Sequence, residues 1–391
     1  MTSEERFEVL AACGASAAEQ AALVHYLGDG FDCRAVSSPL VLPLTDEPCV
    51  ATWADYVREA KVDGAWAVLQ RHLPRLRFPV RAGISTDAAY RATTLRGHAP
   101  DPAATARGLV LHEPAALTLE LHATAAGRVP IIVAGCRADF VTLVQALVHR
   151  NEPVAVPEAM GAAIVSGSNN WERVAAHRAA WRARGGAREA GGWTAEFARL
   201  RARPELYQDR FIVLQPGWYS AVRPADVDMD DAHWRALSLV IRREHECAHY
   251  FTLRVLGAMR NHLLDELLAD YAGIVAAAGR YRADWFARFL GIEQDTYREG
   301  GRLQNYRGEP PLSDGAFRVL QRIASRAAQA VAEFDERHAR ERSSASGRAR
   351  MLLTLARQDL VDLAGPCAQQ HLEAAWVSTT LRWRAETAAS A

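Results

Sequence analysis

The sequence predicts an α+β fold, with an N-terminal α+β region over residues 1–205 and a mostly α-helical domain over residues 206–391. Two observations carry this. Short β-type runs are confined to the first 222 residues, whereas nearly everything from Asp231 onward has helical spacing. An Arg-, Ala- and Gly-rich stretch over 171–204, with glycine pairs at 185–186 and 191–192, reads as the boundary or an exposed linker.

In order, residues 4–27 have the spacing of a helix, and 31–45 is extended, because Pro39 and Pro43 break a helix. Helical spacing returns over 51–73 with Trp53, Tyr56, Ala60, Trp66 and Leu69. After a Pro-, Gly- and Thr-rich stretch come β-type runs at 109–112, 117–122 and 130–134. Residues 139–149 form a short amphipathic helix with Asp139 as N-cap. Residues 153–171 read as a loop, whose Asn169–Asn170–Trp171 cluster either lines a pocket or makes a surface turn. Residues 210–222 read as one strand or a hairpin around Pro216–Gly217. Helices are predicted over 231–256, 262–278, 282–290, 313–342, 347–363 and 366–386.

Composition excludes several functional classes. The formal net charge is zero, so no basic surface for nucleic acid or an anionic membrane is expected. Lys61 is the only lysine, and this arginine bias with many alanines fits a GC-rich bacterial gene. None of the six cysteines forms a CxxC pair, and they read as free thiols of a reducing cytoplasm. The N-terminus lacks a basic segment followed by an apolar one, and no apolar run reaches the roughly 18 residues of a membrane span. A cytoplasmic chain is expected, with its oligomeric state left open.

The chemistry is concentrated in two predicted helices. Trp234, Leu237, Ile241, Ala248, Thr252 and Val255 share one face of the first, which Asp230 or Asp231 caps and Gly257 ends. Within it His245–Glu246–Cys247–Ala248–His249 matches HExxH. Residues four apart stack on one helix face, so both imidazoles can reach one metal at about 2.0–2.1 Å. Glu246 is turned about 100° from His245 and can serve a water on that metal as general base. Both histidines edge onto the apolar stripe, where unpartnered polar groups cost several kcal/mol, and metal coordination compensates for that.

The short turn from Gly257 to Asn261, with Asn261 as cap, makes the next helix an antiparallel neighbour. At about 1.5 Å of rise per residue, Glu266 comes level with His249 and Asp270 with His245. Glu266 is then a third ligand, and Asp270 a carboxylate that orients a ligand histidine. Asp265, Asp270 and His262 remain alternative third ligands. Glu246 and His249 also form an ExxH, the unit of di-iron sites, but the second such unit is missing.

HECAH followed by DELLADYAG resembles the gluzincin branch of the zincin metallopeptidases. The resemblance implies a zincin-like domain with His245, His249 and Glu266 as ligands of one zinc, Glu246 as general base and Asp270 behind a ligand histidine. It also suggests that the strand over 210–222 adds a substrate backbone, or else is an ordinary sheet strand. The Gly-flanked segment 300–308 carries Arg302, Asn305, Tyr306 and Arg307. Tyr306 is the first choice for stabilising an oxyanion, and Arg307 the second, as a substrate-binding residue.

Three functions follow. The first is a zinc-dependent hydrolase of a peptide or other amide bond, in which Glu246 activates water on the metal. The second is a non-peptidase metalloenzyme, with zinc or iron, acting on a small metabolite. The third is a non-catalytic protein whose metal staples two helices; Cys247, about 200° round from His245, points away from the role of fourth ligand.

Overall fold

The computed structural model describes residues 2–28, 30–33, 39–106, 108–186, 192–259, 262–293 and 296–384. The fold is α+β, mostly helical toward the C-terminus. It divides into two compact units. One comprises Met1–Leu44, Thr124–Ala126 and Trp218–Ala391, the other Thr45–Ala123 and Gly127–Gly217. This division differs from the one expected at 205/206, because the N-terminal helices join the helical unit.

That unit begins with two helices where one was expected, Ser3–Ala12 and Ala17–Leu27. The break lies at Gly14–Ser16. The Ser16 hydroxyl accepts from Glu19 N–H, and the Glu19 carboxylate accepts from Ser16 N–H. This capping box starts a second helix in place of extending the first. Both helices lie against later ones, Asp314–Arg337 and Leu360–Ala364. Strand β1 (Leu40–Leu42) pairs in parallel with Leu381–Trp383, so the predicted last helix ends early, at Ser378. The long predicted helices over 313–342 and 347–363 are likewise each broken in two.

The other unit is a four-stranded sheet with helices. Strands β2 (Thr118–Thr124), β3 (Gly127–Val133), β4 (Ala162–Asn169) and β5 (Gln208–Leu214) lie in the order β2-β3-β5-β4. β5 is parallel to β3 and antiparallel to β4. Trp53, Tyr56, Val68, Leu69, Phe140, Leu143, Ile132 and Phe211 form its core. Residues 109–112 are not a strand; Leu109 and Leu111 are buried from irregular backbone.

Two further expectations are corrected here. Residues 171–204 are no linker: Trp171–Ala183 and Gly192–Arg201 are helices. Gly191, of the second glycine pair, lies outside the described residues. Asn170 explains why the first of these helices begins where it does. Its side-chain oxygen accepts from Glu172 and Arg173 N–H, and its amide donates to the buried Asp209. The Asn–Asn–Trp cluster is therefore a strand end and a helix cap.

Asp139 is not the cap of its helix, which runs Arg137–Leu147 from Cys136. It lies in the first turn, wholly buried, and its two oxygens accept from the N–H groups of His112 (2.6 Å) and Glu113 (2.9 Å). The charge fixes a loop instead of a helix end. Replacing Asp139 with Ala leaves two N–H groups unpaired and should destabilise this unit by about 2–3 kcal/mol, read as a lowered midpoint of urea unfolding. An unchanged midpoint would refute this role.

Candidate metal centre

The first site helix, Asp231–Leu256, has the predicted bounds: Asp230 caps it by accepting from His233 N–H, and Gly257 ends it in the left-handed conformation. Trp234, Ile241, Ala248, Phe251 and Thr252 make its buried face, and His245 and His249 lie on that face at 6% and 8% exposure. The second, Leu263–Ala278, is capped by the His262 ring, whose Nδ1 accepts from Leu264 N–H. His262 Nδ1 is thereby engaged, and His262 is not in the group of candidate ligands below; the expected cap, Asn261, lies outside the described residues. The two helices approach closely at Gly273, where a Cβ would come within 2.6 Å of the Ile241 carbonyl oxygen.

This approach brings His245, His249 and Glu266 together, one ligand atom from each lying within 4.8 Å of the others. The two Nε2 atoms face each other at 3.1 Å. Glu266 stands 3.6 Å from each of them, by Oε2 to His245 and Oε1 to His249. Those distances are too long for hydrogen bonds. They suit three ligands of one cation, since donors about 2.0–2.1 Å from a tetrahedral zinc lie about 3.3–3.4 Å apart.

Behind the ligands stands a layer of charge. His245 Nδ1 lies 2.9 Å from Asp270 Oδ1. His249 Nδ1 faces Asp265 Oδ2 at 3.2 Å. An ionised carboxylate accepts only, so the proton of each ring is drawn to Nδ1 and the lone pairs of the two Nε2 atoms face each other. Two such lone pairs at 3.1 Å repel unless a positive charge lies between them. A shared proton or a metal ion meets that need, and the Glu266 carboxylate facing both nitrogens makes the residues present fit a divalent metal.

Two groups complete this layer: Tyr219, which sequence reasoning did not single out, and Arg302, which it named in the 300–308 segment while choosing Tyr306 and Arg307. Tyr219 O–H donates to Asp270 Oδ1 at 2.6 Å, and its oxygen is 2.8 Å from His245 Nδ1. Arg302 Nη1 donates to that oxygen at 2.8 Å, and Nη2 hydrogen-bonds Asp270 Oδ2. Tyr219 belongs to the stretch read as strand or hairpin. The chain instead leaves β5 at Leu214, and Tyr219 opens a short 3₁₀ turn whose next two residues, Ser220 and Ala221, are left-handed. Its N–H is held by the hydroxyl of buried Ser238. No spacing signals such a residue. Asp265 did leave a trace: three acids within six positions of an otherwise apolar helix cannot all face water.

Electrostatics follow burial and charge. Burial alone would raise the carboxyl of Asp270, but the Arg302 guanidinium outweighs it and holds the carboxyl below its usual range. Burial likewise opposes ionisation of Glu266, yet the facing His249 and His245 rings and the Arg302 guanidinium hold it well down. Burial drives the Tyr219 phenol far up, against Arg302, so it stays a donor.

The remaining predicted residues divide. The Tyr306 phenol is buried, and burial followed by the nearby Glu266 charge pushes its ionisation far up. Arg307 is not brought to the site: it donates to Leu312 O and Asp314 and covers the Phe317 ring. Arg302 is the arginine that reaches the site. Its strap is pressed onto the preceding turn at Gly301, where a Cβ would meet Gly291 Cα at 2.7 Å. Glu246 is half-buried, and among the described residues no hydrogen bond or ion pair engages its carboxylate. β5 is paired on both edges, so it cannot add a substrate strand.

The chain matches the Family of unknown function (DUF7005) over residues 8–367, and belongs to that family. No curated protein and no solved structure matches it. No single helix among the described residues is long and apolar enough to cross a membrane.

The helix approach sets the ligand geometry, so Gly273→Ala should push the helices apart. Zinc affinity should fall about tenfold or more, in the range that misplacing ligand support costs. Zinc titration against a chromogenic chelator reads this directly, and wild-type affinity would show that the close approach is irrelevant to the site.

Proposed function

We propose that this member of the DUF7005 family is a zinc-dependent hydrolase of a peptide or other amide bond. The observation that carries the reading is the convergence of the His245 and His249 Nε2 atoms with the Glu266 carboxylate in a nearly closed cluster. Iron is the weaker candidate, because a half-buried acid beside two histidines of HExxH suits water activation.

Zinc held by these three residues would supply the Lewis acidity that makes water a nucleophile near neutral pH. Glu246, adjacent to His245 and unengaged by donors among the described residues, takes the proton of the attacking water and returns it to the leaving nitrogen. Tyr306, kept protonated by burial, is the donor assigned to the oxyanion. Asp270 and Asp265 keep the two imidazoles with their Nε2 lone pairs forward.

A second reading, a metal that only staples the two helices, draws on the low exposure of the three ligands. A closed structural zinc takes four protein ligands. Asp265 and Asp270 are engaged at the histidine Nδ1 atoms, which leaves three facing the center.

Zinc analysis of the purified chain should give about one zinc per chain. Glu246→Gln should keep that zinc while losing about 10²–10⁴-fold in hydrolysis of labelled casein or a panel of acylated amino-acid amides. A Gln variant as fast as the wild type sinks the mechanism, and a zinc-loaded wild type inert on every probe favours the staple.

A further inference from the structure

Whatever occupies the center, His245 is supported differently from His249. Behind His249 stands one carboxylate, Asp265, which Thr252 Oγ1 approaches at 3.3 Å. Behind His245 stands a closed circuit of three groups, Asp270, Tyr219 and Arg302. These come from three separate segments: the second site helix, the turn after β5, and the strap after Gly301.

We propose that Tyr219 and Arg302 are positioning residues which, through Asp270, hold the His245 ring with its Nε2 lone pair at the metal. The inference rests on the metal reading above and goes beyond it, assigning retention of the metal to a tyrosine and an arginine that do not touch it.

The hydrogen bonds leave one consistent arrangement. Arg302 has donors only, so it donates to the Tyr219 oxygen and to Asp270 Oδ2. Tyr219, already accepting from Arg302, gives its own proton to Asp270 Oδ1 at 2.6 Å, the shortest of the contacts its hydroxyl makes. His245 Nδ1 then faces a phenol oxygen whose proton is committed to Asp270, at 2.8 Å, and a carboxylate oxygen that has none, at 2.9 Å. Nδ1 must be the donor, and Nε2 is left to bind. With Arg302 removed, the Tyr219 proton is free to turn toward Nδ1, which places the ring proton on Nε2 and blocks coordination; with the Tyr219 hydroxyl removed, Asp270 loses the donor that aims its Oδ1 at the ring. Tyr219 cannot move away easily. Its ring meets Phe289 edge-on at 4.8 Å, and Arg302 lies over it with its guanidinium 5.5 Å from the ring centroid.

Arg302 also supplies charge. It lies 3.9 Å from Glu266 Oε2 as well as on Asp270. Lysine at this position would keep the charge but offers no planar fork for two acceptors.

The test compares wild type, Tyr219→Phe and Arg302→Lys, all loaded with zinc, by competition with a chelator and by stopped-flow zinc release. Cobalt-substituted samples add the visible spectrum, which reports ligand geometry and which a merely stabilising residue would not move. Both variants should bind zinc about 10–100-fold more weakly, the usual cost of losing an outer partner of a ligand histidine, and should shift the cobalt bands. Tyr219→Phe keeps the ring packing, so it decides the matter if Arg302→Lys does not fold. Wild-type affinity and spectrum in Tyr219→Phe overturn the positioning role while leaving the metal reading intact. A wild-type chain that binds no zinc or cobalt overturns the metal reading itself.

Discussion

Two imidazoles and three carboxylates buried side by side between two helices constitute the constraint on which the rest of this unit depends. Each ion taken from water costs several kcal/mol, and only short-range partners recover it. The protein meets this with a close helix approach at Gly273, an arginine delivered by the strap at Gly301, and a tyrosine fixed by Ser238 and two left-handed residues. The two glycines are demanded by contact, since a Cβ at either would strike backbone. The left-handed residues cost of order 1–3 kcal/mol each, a strain that persists only where surrounding structure dictates it. Strain, glycine and buried charge all converge on the same ring, His245.

The contrast with other buried acids separates this cluster from ordinary structural charge. Asp139 is saturated by two backbone N–H groups, Asp209 by Trp53, Asn170 and Arg173, and Asp335 by Tyr271, the Tyr281 N–H and Arg342. Each is closed upon itself and specifies local backbone or helix placement. Glu266 differs: its oxygens are spaced away from the ring nitrogens by more than a hydrogen bond and less than a void. The site is unsaturated toward its center, and the others are not.

Glu246 and the enclosure of the ligands pull in opposite directions, and their balance bears on function. Ligands this buried would suit a staple, whereas a half-buried acid that no described residue engages, on the adjacent position of the same helix, suits proton transfer. The family of unknown function to which the chain belongs supplies no activity to decide between them. Chemistry at the site is the ground for preferring hydrolysis.

What was legible in the sequence was local. The periodic apolar stripe, the Asp230 cap and Gly257 fixed the first site helix to the residue, and helical rise alone set Glu266 and Asp270 opposite the histidines. Those are properties of a helix pair joined by a short turn, and 3.6-residue geometry carries them without help from the rest of the chain. The N-terminal break at Gly14, the cap role of Asn170 and the place of Asp139 were not legible, because each depends on a partner distant in sequence or on a competing cap. So too with the second layer. Arg302 over Arg307, and Tyr219 at all, were decided only when segments 83 residues apart met at 2.8 Å, a distance that no periodicity encodes.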